Sequence, residues 1–175
     1  MCDTEDIYKL AELNQLNKVH PTAIVYRNVE LGKGNVIGPY SIIGSNGEIR
    51  NTKEFKGKVI IGDNNTISEH VTIQRPAKEG EATVIGNENM IMAHSHIGHD
   101  AKIGNNTEIC SNVTIGGYAE IGDGAKIKLS ATVRNRKKVG KNSLVGLGAA
   151  VVKDVLENWV VAGVPAKFLR MNTKP

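Results

Sequence analysis

Apolar side chains return at every sixth position along most of this chain. The series opens at Val19 and Val25, runs through Leu31, Ile37, Ile43, Ile49, Phe55, Ile61, Ile67 and Ile73, and resumes at Ile85 to continue unbroken to Val151. Glu79 is its one polar member. Four residues after each lead sits a second series, mostly small, as at Ser41, Ser95, Ala101, Ala119, Ala131 and Ala149. Gly often follows the lead directly, as at Gly62, Gly98, Gly104, Gly116 and Gly140. A period of six fits neither the 3.6-residue helix nor strand alternation. It predicts a solenoid in which each hexad is a short strand plus a corner, and stacked coils bury a shared interior. The lead fills the tube, the small residue lets the wall turn, and Gly relieves the corner backbone.

The interruptions define the organisation. Residues 1–17 precede the repeat. There Asp3 or Thr4 caps a short predicted helix carrying Ile7, Leu10, Ala11 and Leu13, which would plug the open end of the solenoid. The repeat occupies 19–155. It is blurred over 45–60, and at 74–84 the charged, Pro76- and Gly80-containing stretch reads as an extruded loop able to cover a site. Lys137 stands at a normally small position, which predicts a coil opened at 134–138. Residues 156–175 form a C-terminal extension; Pro165 blocks a helix through that point, while 166–171 is compatible with a short one. The whole of 1–175 reads as one domain.

Composition narrows this only slightly. Aromatics are 4% of 175 residues, as a tube filled by Ile and Val requires. Lys and Arg number 22 against 18 Asp and Glu, too small an excess to argue for nucleic acid. Cys2 and Cys110 make no disulfide framework. With no signal peptide and no apolar run near 18 residues, a cytoplasmic protein without membrane insertion is expected.

Candidate chemistry concentrates in Ile91–Asp100, IMAHSHIGHD, which holds three of the five histidines. His99 falls two residues after a lead, at an outward corner, with Asp100 next to it to orient the imidazole. A basic run, Lys126, Lys128, Arg134, Arg136, Lys137, Lys138 and Lys141, contains no acid and suits the phosphates of a coenzyme or nucleotide, or an acidic carrier protein. It is equally compatible with a solvated face. GDGAKIK and GLGAAV are repeat glycines, with no phosphate-binding loop pattern.

The hexad pattern resembles that of the hexapeptide-repeat acyltransferases. The resemblance implies an all-β fold, a left-handed parallel β-helix with three hexads per coil. The left hand comes from the resemblance alone, since crossovers generally favour the right. Eighteen residues per coil would stack residue n beneath n+18, about 4.8 Å apart, and give 19–151 a little over seven coils, roughly 35 Å of prism. Gly117 then lies one coil above His99, and a general base beside a backbone N–H is a minimal apparatus for acyl transfer.

Residues 19–165 are similar to the bacterial UDP-N-acetylglucosamine O-acyltransferases of lipid A synthesis, most closely over NMIMAHSHIGHDAKIGN, KVHPTAIV and IGDNNTISEHVTIQR. On that resemblance His99 is the general base, Asp100 its partner and Gly117 the oxyanion donor. His96 matches a second active-site His, and His94, Tyr118, Arg134 and Arg75 are candidate acceptor contacts. Arg136, Lys137 and Lys138 are candidate contacts to an acyl-CoA or acyl-carrier-protein thioester, used as co-substrate with no bound cofactor. Departures are clear: Tyr118 and Arg134 stand where that family has His. Ile49 and Asn51 fall where it has sugar-contacting Asp and Lys, and its long C-terminal helical domain has no counterpart. The ending VVAGVPAKFLR is instead similar to coenzyme-A-dependent sugar acetyltransferases. The implied activity is acyl transfer to a hydroxyl or amine of a nucleotide-linked sugar, by a homotrimer. Two alternatives stay open: a metal-dependent hydratase like the γ-class carbonic anhydrases, whose ligands His94 and His99 resemble, though His70 is off the required spacing, and a non-catalytic scaffold.

Overall fold

The computed structural model describes residues 8, 10–48, 57–78 and 80–173. Each hexad becomes a strand, usually of two residues, with one side chain out and the lead in: Met90 is 48% exposed and Ile91 fully buried. Parallel pairing stacks the strands into three walls. The first wall runs from Lys18–Val19 to Trp159–Ala162, the second from Ile24–Val25 to Ala150–Val151, and the third from Val29–Leu31 to Lys138–Val139. Together they close a left-handed parallel β-helix. Its interior is a continuous column of leads, with Ile67, Ile73, Ile91, Ile97, Ile109, Ile115 and Ile127 all at 0% exposure. Burying such a side chain contributes about 1.5–3 kcal/mol, so the tube is held chiefly by this column.

The corners turn by a different device from the one the pattern suggested. The residue three after the lead adopts the left-handed conformation, as at Tyr40, His70, His94, Asp100, Asn106, Tyr118 and Arg136, with φ of 52–63°. The Gly that follows the lead generally does not, and it is required by space. A Cβ on Gly98 would meet Gly117 N at 2.7 Å, and one on Gly104 would meet Asp123 N at 2.8 Å. These glycines let neighbouring coils approach, instead of relieving φ.

Register is not uniform. Above Ile91 partners are 18 residues apart, as in Ile91↔Ile109 and Ile109↔Ile127, until the last step, Val145↔Val161, which is 16. Below it the first step is 18, as in Val19↔Ile37, the next 30, as in Val29↔Val59 and Ile37↔Ile67, and the next 24, as in Ile61↔Ile85 and Ile73↔Ile97. Two insertions of twelve and six residues therefore leave the helix after Ile43 and after Ile73, both at the corner between the second and third walls. Because both are multiples of six, the sequence phase survives them although the coil does not. The prism has a little over six coils, about 30 Å, where seven were expected. Ile49, Asn51, Phe55 and Glu79 lie outside the described residues.

At the N-terminal end a helix of only Leu10–Leu13 covers the tube with buried Leu13, and the Tyr8 N–H donates to Val25 O. Leu16 is exposed, and Asp3, Thr4 and Ile7 lie outside the described residues. At the other end residues 167–171 are a strand, not a helix: Lys167–Met171 pairs antiparallel with Trp159–Ala162. The coil does not open at Lys137 either. Lys138–Val139 stays in register with Glu120–Ile121, and the Lys137 ammonium reaches Asp154 at 3.3 Å. No helix among the described residues is long and apolar enough to cross a membrane.

Candidate active site

His99 sits at the corner between the second and third walls, just past the strand His96–Ile97. Its Nδ1 is 2.7 Å from Asp100 Oδ2. Asp100 is held from three directions. Its left-handed backbone turns the carboxylate back toward the imidazole, its N–H donates to Thr83 Oγ1 at 2.8 Å, and Oδ2 also accepts from the Ala77 N–H at 2.9 Å. With the carboxylate only 4% exposed, Nδ1 carries the proton and Nε2 keeps the lone pair.

The imidazole lies flat against glycine on both sides. A Cβ on Gly117 would come within 2.5 Å of His99 Nε2 and Cε1, and one on Gly47 within 3.0 Å of its Cβ. The side chain is consequently 12% exposed, far less than an outward corner position suggested, because Gly47 and Gly117 pack against it. Gly117 thus brings a backbone N–H next to the reactive nitrogen. That N–H makes no hydrogen bond among the described residues, whereas the equivalent Asn105 N–H donates to Asp123.

The coil above adds Tyr118, and the one above that two arginines. The Tyr118 ring meets His99 edge-on, with centroids 5.1 Å apart. The Arg136 guanidinium lies 4.2 Å over the Tyr118 ring, and the Arg136 backbone N–H donates to Gly117 O. Burial, and next the negative charge of Asp100, push the Tyr118 hydroxyl above the usual phenol range, with Arg136 pulling the other way. Arg134 is exposed, one coil above Gly116, with no ion pair among the described residues. Arg75 lies one coil below His99, and its N–H donates to Ser45 O.

His96 faces out of the second wall, with Nδ1 2.7 Å from Thr72 Oγ1. Desolvation lowers its pKa; the charge of Glu48 opposes this and His99 adds to the lowering. His94 is not part of this arrangement. It occupies the corner at the other edge of the second wall, where it stacks on His70 at 4.8 Å, and His70 in turn on Tyr40. Among the described residues no three His, Cys, Asp or Glu side chains come together as a metal-binding group.

The basic run is dispersed, because 126–141 wraps nearly once around the prism. Lys126 and Lys128 lie at the first wall, where Lys128 pairs with Glu108, and Lys138 on the third wall pairs with Glu120. Lys137 is taken by Asp154. Arg134 and Arg136 alone of the run stand at the His99 corner.

Thr83, Ala77, Gly47 and Thr72 support the site and were not foreseen. The distances of Ala77 and Thr72 to their partners, 23 and 24 residues, differ from 18 because the second insertion intervenes, whereas Thr83, 17 residues before Asp100, lies past it. Counting back one hexad further than a coil would have led from His96 to Thr72, whereas Ala77 donates through its backbone and carries no side-chain signal.

The family model described as bacterial transferase hexapeptide (six repeats) matches residues 82–117, which span this corner. No curated protein matches the chain by sequence. Among solved structures, a UDP-N-acetylglucosamine acyltransferase from Bacteroides fragilis 9343 is 29% identical with a TM-score of 0.87, over 90% of this chain and 62% of its own. The chain therefore spans less than two thirds of that relative. The Francisella novicida UDP-N-acetylglucosamine acyltransferase is 30% identical with a TM-score of 0.74, over 91% of this chain and 70% of its own. The enzyme of the same name from Campylobacter jejuni is 28% identical with a TM-score of 0.70. Hexads, coil geometry and relatives agree, and the chain belongs to the hexapeptide-repeat acyltransferase superfamily.

Proposed function

We propose that the protein transfers an acyl group from an acyl thioester, of coenzyme A or of an acyl carrier protein, to a hydroxyl or amine of a nucleotide-linked sugar. The observation that carries this is His99, its Nδ1 fixed by Asp100 and its Nε2 set against Gly117, whose N–H is left without an acceptor. The acceptor attacks the thioester carbonyl while Nε2 takes its proton. The tetrahedral oxyanion is stabilised by the Gly117 N–H. Collapse breaks the carbon–sulfur bond, and the imidazolium returns the proton to the leaving thiolate, so one ester or amide and one free thiol form. Arg134 and Arg136 are positioned to meet phosphates of a ligand at this corner, and His96 to meet the acceptor. Lys137 and Lys138, already paired with acids, are weaker donor contacts than the sequence suggested.

Assembly belongs to the same proposal. Outward positions of the second wall are Ile24, Ile42, Thr72, His96, Thr114, Thr132 and Ala150, with no charge. The third wall instead carries the cross-coil pairs Lys58–Glu30 and Lys138–Glu120. An uncharged flat wall is suited to closed cyclic packing, here a homotrimer. Incubation with acetyl-CoA or an acylated carrier protein and a panel of nucleotide sugars should release free thiol only when donor and acceptor are both present. No release with any donor, from protein that scatters light as a trimer, overturns the proposal.

A further inference from the structure

The Asp100 carboxylate is incompletely satisfied. Oδ2 receives His99 and the Ala77 N–H, but Oδ1 is buried and makes no hydrogen bond of good geometry among the described residues. A buried carboxylate oxygen without a donor is costly, and a carboxylate free to rotate would let the imidazole lose its orientation. The side chain placed to supply the donor is Tyr118. It crosses the His99 ring at 87°, sits one coil above Asp100 at the same corner position, and is fixed from its other side by the Arg136 guanidinium at 4.2 Å.

We infer that the Tyr118 hydroxyl donates to Asp100 Oδ1, so that Tyr118 is a positioning residue acting on His99 through the carboxylate. This rests on the reading of His99 as the general base, and it replaces the acceptor contact first suggested for Tyr118. The raised hydroxyl pKa supports it, because Asp100 contributes both by its charge and as a hydrogen-bond partner. Arg136 over the ring makes the phenol a stronger donor and prevents it from swinging out. The other charged and titratable groups facing the cluster are His96, Glu48 near His96, and Glu81 near Tyr118. None of them carries a neutral hydroxyl to donate to the carboxylate.

Tyr118→Phe tests this, since it keeps the ring, the edge contact with His99 and the stack under Arg136. In the full-length resting protein, the His99 Nδ1 proton should exchange with water about tenfold faster than in the unmodified chain, as the carboxylate turns to find another donor. With acetyl-CoA and UDP-N-acetylglucosamine as probes, kcat should fall on the order of tenfold with the acceptor KM little changed. Unchanged proton exchange overturns the inference. If the acceptor KM rises while exchange is unchanged, Tyr118 is an acceptor contact, which overturns it equally. Should the unmodified protein not turn over this pair of probes, they are not its donor and acceptor, and the exchange measurement still decides the role of Tyr118.

Discussion

Two corners of this prism share one backbone geometry and use it oppositely. At the corner between the third and first walls, the residues two after each lead form a closed polar ladder. Lys33 N–H donates to Asp63, Asp63 N–H to Asn87, Asn87 N–H to Asn105 and Asn105 N–H to Asp123, at 2.7–2.9 Å. At the corner between the second and third walls the same positions hold Arg75, His99 and Gly117, and the ladder is broken. There the Gly117 N–H stays without an acceptor and a base lies against it. The repeat supplies a backbone donor on every coil; side chains decide whether it is used for stability or kept for chemistry.

The sharpest way to break that contrast is to remove the base. His99→Ala should lower the rate by on the order of 10² to 10⁴, measured as thiol release under saturating donor, with donor binding nearly unchanged. Near-normal turnover would end the proposed mechanism. Paired glycine substitutions come next. Gly117→Ala meets a side chain and should push the His99 ring out of its place, so activity should fall about a hundredfold with a small change in melting temperature. Gly104→Ala meets backbone instead, and should cost about 1–3 kcal/mol in stability while leaving the chemistry intact. If the two variants lose the same property, the corners do not differ as described.

A smaller effect separates the corners by pH. His96 resists protonation in the folded wall because burial lowers its pKa below the ordinary 6.5, whereas the unfolded chain takes the proton readily. Stability should therefore decline as pH falls below about 6.5, and stop declining once folded His96 is protonated too. Urea midpoints of the unmodified chain and His96→Gln between pH 7.5 and 5 should converge on acidification; parallel curves would show that His96 does not contribute. Smallest is Asp123→Ala. It leaves the Asn105 N–H to water and should cost about 1 kcal/mol in chemical denaturation with no loss of activity.

The spiral was legible because its determinant is one residue type at one spacing: Ile97, Ile115 and Ile127 need nothing but the tube. His99 and Gly117 were legible as a pair because no insertion separates them, so one coil is 18 residues. Ala77 and Thr72 were not, because the insertion after Ile73 lengthens the coil by a hexad without disturbing the phase, and Thr83 was not, because its hydroxyl meets a backbone N–H that the hexads do not single out. Proximity in sequence misled in two places. His94 is two residues from His96 yet turns a different corner, and the basic run is contiguous only along the chain. The exposure of His99 was misjudged for a related reason: Gly47 reaches it from an insertion whose path the hexads do not encode.

The interior also holds a short polar column, with consequences for how the chain finds its alignment. Asn35 N–H donates to Asn17, Asn65 N–H to Asn35, Asn89 N–H to Asn65 and Thr107 N–H to Asn89, all at 2.8–2.9 Å. Nearly identical hexads invite slippage, because sliding a coil by six residues still sets one isoleucine on another. Such a slide would move an asparagine amide against a different interior corner and strand it, at about 1–3 kcal/mol each. The column spans the two steps of 30 and 24 residues, where counting to 18 fails, and gives way to Thr107 and Ala125, where steps of 18 run on until Val145 meets Val161, 16 residues away. Asparagine therefore marks the places at which spacing alone carries too little information to align the chain.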